Sequence, residues 1–354
     1  MDSIPITARS LQKPYHIKGD DFERAYKNHL SDYKHWVKEG DGKHAEEYLI
    51  YPRNIGPNVS IDETSLSNGE LYTIVSNKDA HGQKGSLIAI VKGTKVENVI
   101  TALNRIHFYL REKVKEITMD FSDSMHVIAT TCFPNATITL DRFHMQQLCT
   151  NAMQQIRVKA RRQALKADAE AREQHRFRNK RNVSKRKKGD KDPRGRKPKR
   201  ANEAYVPERL SNGDTRCELL SRSRYLLMVS QDKWTESQKA RGKLLFELYP
   251  DIKTAYSLVH SLREIFNCKT HTKESARESL GRWYNKVTEF DNAYFNVACA
   301  TIYEREDEIL NFFTHRATNA SAESFNSKIK AFRAQLRGVI DVPFFLYRLV
   351  TIFA

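Results

Sequence analysis

The chain has 354 residues, 40% of them hydrophobic, and a formal charge of +17. That is enough for one large or two ordinary cores, and too apolar for a disordered chain. No run is long and apolar enough for a membrane span, and Met1 to Lys13 lacks the core of a secretory leader. Five cysteines (Cys132, Cys149, Cys217, Cys268 and Cys299) with no Cys-x-x-Cys pair exclude a disulfide framework and a zinc ribbon.

In chain order, Phe22, Tyr26, Leu30, Tyr33 and Val37 recur at helical spacing and predict an amphipathic helix over 21–37. The pattern then turns to strands at 59–65, 71–75 and 87–91. Polar turns at Ser67-Asn68-Gly69-Glu70 and at 79–85 separate them, as in an antiparallel meander. Val99, Leu103, Ile106 and Leu110 predict a helix over 95–115. A strand at 117–120, a helix at about 124–132, a strand at 137–141 and a helix from Phe143 to at least Arg157 follow. The order βββαβαβα is that of an α/β, ribonuclease-H-like catalytic core. A Rossmann half would open with parallel strands and a glycine-rich first turn, and neither is present.

Between Arg157 and Arg200 there are twenty Lys/Arg against five Asp/Glu, so this segment holds +15 of the total +17. It begins helical, from Gln155 to about Arg178. Residues 182–204 have no apolar periodicity and are expected to be disordered without a ligand. Such a segment attracts a polyanion, with nucleic acid the default partner. From Leu219 to Asn311 the pattern is all helical, a large insertion before a last helix that starts near Ser321 and buries Phe325, Ile329 and Phe332. The expected organisation is a helical lead-in (1–57), the first part of the core (58–157), a basic DNA-binding arm (158–210), a helical insertion domain (211–315) and a C-terminal catalytic helix completing the core (316–354).

Two carboxylates interrupt apolar strand patterns: Asp62 in Ser-Ile-Asp-Glu-Thr and Asp120 in Thr-Met-Asp-Phe-Ser. Buried carboxylates need compensation. In the expected sheet the first and fourth strands are neighbours, so these two groups converge and repel unless a cation lies between them. Oxygen ligands select Mg²⁺ or Mn²⁺. Two such ions can activate an attacking oxygen and stabilise a leaving one at phosphorus. An Asp that only caps a turn is the ordinary alternative for either residue taken alone. The third candidate, Glu323, stands in Thr-Asn-Ala-Ser-Ala-Glu-Ser-Phe-Asn, with Asn319 or Ser321 available as helix cap. Asn326 and Lys330 share its helix face, which suits metal plus DNA phosphate.

At these residues the chain resembles bacterial insertion-sequence DDE transposases of the ISL-three family, especially the ISAon-type group. The likeness runs from about His44 to Phe353. It rests on Leu-Ile-Tyr-Pro-Arg-Asn-Ile-Gly-Pro before Ser-Ile-Asp-Glu-Thr, on Gly-Glu-Leu-Tyr-Thr-Ile-Val, on Thr-Met-Asp, and on Phe-Pro-Asn-Ala ahead of Asp141-Arg142-Phe143-His144. Arg-Ser-Arg-Tyr-Leu-Leu and the Asn-Ala-Ser-Ala-Glu-Ser-Phe-Asn stretch complete it. The resemblance places the catalytic, metal-binding triad on Asp62, Asp120 and Glu323, with Asp141, His144 and Asn326 as candidate support. It implies hydrolysis at the element ends with two Mg²⁺ (or Mn²⁺) ions, then attack of the freed 3′-hydroxyl on target DNA. Double-stranded DNA is the expected partner, with the chain acting as a homo-oligomer on it, and the scattered cysteines and the polar N-terminus point to the cytoplasm, in association with the nucleoid.

Longer relatives carry an N-terminal zinc-binding and helix-turn-helix portion that this chain lacks, so a separate N-terminal DNA-binding protein is expected as partner. Candidate phosphate contacts are Lys330 and the arm residues Lys185, Arg186, Lys187, Lys188, Arg194, Arg196, Lys197, Lys199 and Arg200. Within the arm, Pro193 to Arg200 resembles an AT-hook with Lys197 intruding after Arg-Gly-Arg. Two other readings are a ribonuclease-H-like nuclease or resolvase without strand transfer, and an inactive DNA-binding regulator.

Overall fold

Six strands form one mixed sheet: β1 (Tyr48–Ile50), β2 (Asn58–Ser67), β3 (Glu70–Asn77), β4 (Leu87–Lys92), β5 (Glu116–Met119) and β6 (Thr137–Leu140). They lie in the order β1-β4-β3-β2-β5-β6 in a computed structural model that describes residues 1–67, 69–185, 204–316, 318–336 and 339–354. The meander read from the sequence is present. β2 pairs antiparallel with β3, and β3 with β4; Gly69, at φ +85°, belongs to the tight β2–β3 turn. The helical crossovers then bring β5 parallel to β2, and β6 parallel to β5. The strand interiors are Val/Ile/Leu-rich because helices cover the sheet: Val59, Ile61, Val75, Ile88 and Ile117 are all fully buried.

Four elements depart from the sequence reading. The helix expected over 21–37 is two helices, Gly19–Ala25 and Tyr33–Lys38. Between them a wide turn ends at Ser31, whose backbone is extended and whose hydroxyl donates to the Tyr26 carbonyl at 2.7 Å. The helix expected over 95–115 stops at Leu103 and restarts at Phe108. His107 is extended there, and its ring nitrogen accepts from the Tyr109 N–H at 3.3 Å. A polar side chain thus won the local competition with the helix at each break. Strand β1 is only three residues long and adds to the edge of β4. Helix Ala320–Gln335 is not the last: Val342–Phe353 follows, with Asp341 capping the Phe344 N–H. That helix is buried over most of its length, Arg348 included.

The described chain forms two compact units. One comprises Met1–Met145, Thr270–Arg277 and Arg305–Ala354, and contains the sheet. Its core joins Phe325, Ile329 and Phe332 to the last helix and to the N-terminal helices. Tyr33 and Trp36 meet Phe344 and Tyr347 at ring separations of 5.1 and 5.3 Å. The other unit, Gln146–Lys269 with Glu278–Glu304, is helical among its described residues. Leu219, Leu245, Val259, Leu262, Phe266, Leu280 and Phe295 fill its interior, and the Trp283 indole donates to the Leu258 carbonyl at 2.9 Å. No helix among the described residues is long and apolar enough to cross a membrane.

Candidate active site

Three adjacent parallel strands carry one repeated pattern: Asn58-Val-Ser60-Ile-Asp62, Glu116-Ile-Thr118-Met-Asp120 and Thr137-Ile-Thr139-Leu-Asp141. The register aligns them position for position, with Asn58 beside Glu116 beside Thr137, and Ser60 beside Thr118 beside Thr139. Because side chains alternate along a strand, the apolar members go to one face, and the hydroxyls and acids to the other. The hydroxyl row is buried, with Ser60, Thr118 and Thr139 at most 1% exposed. The next row holds the three aspartates, at strand spacings of roughly 4.8 Å.

The row is anionic and largely shielded from water. Burial and the neighbouring Asp120 push the Asp62 carboxyl up to about 6. The Glu63 N–H, the Asn326 amide and His144 oppose that rise. Glu63 is raised by the same two causes. His144 lies across the other half of the row. Its Nδ1 is 3.0 Å from Asp120 Oδ1 and 3.3 Å from Asp141 Oδ2, and these two hydrogen bonds push the imidazolium up to about 10. Asp141, 4% exposed, also accepts from the Phe143 N–H at 3.3 Å with its other oxygen, so it caps the helix Arg142–Lys185. Ligand atoms of Asp120, Asp141 and His144 lie within 4.8 Å of one another, so a cation shared by all three would have to replace the His144 proton.

Helix Ala320–Gln335 packs against β2 and is keyed to the row by two amides. The Asn326 Nδ2 donates to Asp62 Oδ2 at 2.5 Å, and the Asn319 Nδ2 to Asp120 Oδ1 at 3.3 Å. Asn319 stands at the helix start, yet its side chain does not cap the helix as the sequence suggests. It reaches Asp120 instead, is 1% exposed, and its Oδ1 has no hydrogen-bond partner.

Among the sequence candidates, Asp62 and Asp120 are neighbours, as expected from the strand order. Asn326, Asp141 and His144 join them. Glu323 lies in the first turn of its helix, four residues after Asn319 and three before Asn326, hence on the face that carries both amides. Its side chain is exposed and is not in the cluster of ligand atoms around Asp120. Lys330 is exposed two turns further on. Lys185 ends the long helix. Arg186, Lys187, Lys188, Arg194, Arg196, Lys197, Lys199 and Arg200, the AT-hook-like stretch included, lie outside the described residues, as does most of the disorder expected over 182–204; residues 182–185 are helical. The contact of Asn319 with Asp120 is the one the sequence reading missed. The signal for it was the shared helix face of Asn319, Glu323 and Asn326.

Residues 59–349 match the model of a family described as Transposase, the DDE type of the ISL3 group. The chain belongs to this family of insertion-sequence transposases. It is 25% identical over 273 residues to the transposase for insertion sequence element IS1557 of Mycobacterium tuberculosis, in strain CDC 1551 / Oshkosh and equally in strain ATCC 25618 / H37Rv. The match covers 77% of this chain and 54% of the relative, so the chain spans about half the length of these curated relatives. No solved structure matches.

Proposed function

We propose that this chain is the catalytic subunit of its element's transposase, a ribonuclease-H-like enzyme that cuts and joins DNA at Asp62, Asp120 and Glu323. The observation that carries the reading is the aspartate row, with a helix keyed to it by Asn319 and Asn326 so that Glu323 shares their face. The sheet order supports the fold assignment. Three antiparallel strands are followed by two parallel ones, with the first strand of the meander at the centre.

The donor set fits a hard divalent ion. It is mostly carboxylate oxygen, and the elevated Asp62 carboxyl reflects burial and the neighbouring Asp120, both of which a cation would offset. Asp62, Asp120 and Glu323 would hold Mg²⁺ or Mn²⁺, which supplies Lewis-acid stabilisation of the attacking and leaving oxygens. Asn326 and Asn319 fix the orientation of Asp62 and Asp120. His144, protonated between Asp120 and Asp141, balances part of their charge. Lys330 and the basic arm hold phosphates of double-stranded DNA. In the first step water oxygen joins phosphorus and the bond to O3′ breaks, leaving a 3′-hydroxyl on the element. In the second step that oxygen joins a target phosphorus and a target 3′-hydroxyl departs. The working form is a homo-oligomer on DNA, with a separate DNA-binding protein reading the element ends.

The test is nicking of supercoiled plasmid, with Mg²⁺ or with EDTA, by the wild type and by Asp62→Asn, Asp120→Asn and Glu323→Gln. Nicking by the wild type alone, and only with metal, is expected. Near-wild-type cleavage by any variant removes that residue from the triad. A donor duplex with a free 3′-hydroxyl separates a transposase from a nuclease that cannot join strands. No nicking at all would leave the regulator reading.

A further inference from the structure

We propose that Phe143 is a stacking platform for a nucleobase that is unpaired and out of the helix stack, on the DNA strand whose backbone meets the aspartate row; this rests on the reading of that row as a DNA-cleaving site. Phe143 stands between Asp141 and His144 and is 59% exposed. Its ring meets the His144 ring edge to face, with centroids 5.7 Å apart and planes at 89°. Its own N–H is bound by Asp141, so its backbone position is set by the site. In the first turn of a helix a long side chain leans back toward the N-terminus, here toward the row. Its chain neighbours are otherwise placed: Met145 is fully buried, and the Arg142 guanidinium lies over Phe312 at 5.1 Å.

A single exposed apolar side chain is ordinary on a protein surface. This one is set apart by its place. It borders the acidic row and offers a flat π-face beside it. Of the parts of DNA, only a base has a matching apolar face. Bases inside a duplex are stacked on each other, so the one that reaches Phe143 is unpaired or extruded. Stacking tolerates any base, so the platform sets strand geometry at the cut and reads no sequence.

The test uses the full chain in EDTA and a duplex with a short unpaired 3′ overhang. A 2-aminopurine is placed at each overhang position in turn. Wild type is expected to quench the probe at one position. Phe143→Ala and Phe143→Leu should lose that quench and bind the overhang duplex about 5- to 150-fold more weakly, the range of one base–aromatic stack. Their affinity for a blunt duplex should be unchanged, and Phe143→Trp should restore the quench. Retained quenching and affinity in Phe143→Ala overturn the proposal. Equal loss on blunt and overhang duplexes also overturns it, since that marks a general role in folding or binding. With no divalent ion present, the result does not depend on cleavage. A wild type that never nicks DNA would defeat the functional reading and leave the stacking result to stand or fall by itself.

Discussion

Replacing Asp62 with Asn should stabilise the metal-free protein while abolishing its response to Mg²⁺. The carboxyl is held at about 6 in the folded chain, against about 3.8 for a free side chain, chiefly by burial and then by Asp120. A folded-state value above the unfolded one means that the native protein binds the proton more tightly. The ionised group therefore opposes folding, fully above pH 6, and the opposition fades as pH falls from 6 toward 4. The gap corresponds to roughly 3 kcal/mol at pH 8. Asn at this position keeps one oxygen to accept from the Glu63 N–H and sets an NH2 against the Asn326 amide, which must turn its oxygen inward to accept from it. The net gain should then be about 1–2 kcal/mol, or a few degrees in Tm for a unit of this size. Thermal unfolding in EDTA at pH 8 and at pH 4.5 reads it: Asp62→Asn melts higher at pH 8, and the two proteins converge at pH 4.5. Adding Mg²⁺ should raise the wild-type Tm by mass action and leave the variant unmoved. A variant that melts below wild type at pH 8 in EDTA would refute the argument, because the carboxylate would then be compensated within the chain.

His144 has the opposite sign. Its folded-state value is raised to about 10, so its contribution is fully present below pH 6.5 and is lost as pH rises toward 10. His144→Gln should cost about 1–2 kcal/mol at pH 6 and little at pH 10, read by denaturant unfolding at the two pH values. Arg348 is 2% exposed and its Nη2 donates to the carbonyls of Met1, Ile4 and Ile6. Arg348→Met should free the N-terminal segment, seen as rapid proteolysis before Tyr26, with a loss of roughly 2–4 kcal/mol in stability. Deleting residues 186–200 removes nine Lys/Arg and two Asp. The slope of log affinity against log salt for duplex DNA should flatten by several units, about 0.9 per lost phosphate contact. An unchanged slope would show that the arm makes no phosphate contacts.

The sheet was legible because alternation and turn residues are local signals. The strands at 59–65, 71–75, 87–91, 117–120 and 137–141 all lie within two residues of their observed ends at each terminus. What failed was of two kinds, an element that exists through a distant partner and helices broken by a single side chain. Strand β1 has too few residues to alternate and exists through its pairing with β4. The two helix breaks come from single side chains, Ser31 and His107, binding their own backbone. The apolar face read at Tyr26 packs within the chain, with Tyr26 and Trp36 buried against the last helix.

At the site, the acid row was written three times in the sequence as polar–apolar–hydroxyl–apolar–Asp, at 58–62, 116–120 and 137–141. Reading charge in strands one at a time found Asp62 and Asp120 but left Asp141 to a family motif. Reading all three together finds the row, because parallel strands that start in register must end in register. The same repeat explains why the acids do not spoil the fold. Each is the last residue of its pattern, and the two crossover strands pair no further than Met119 and Leu140. Asp120 and Asp141 therefore leave the sheet where a histidine can reach both. Asp62 is the exception. Its strand runs on to Ser67, so its carboxyl stays inside the layer and depends on Asn326. Burial there, with Asp120 beside it, is what raises the Asp62 carboxyl to about 6.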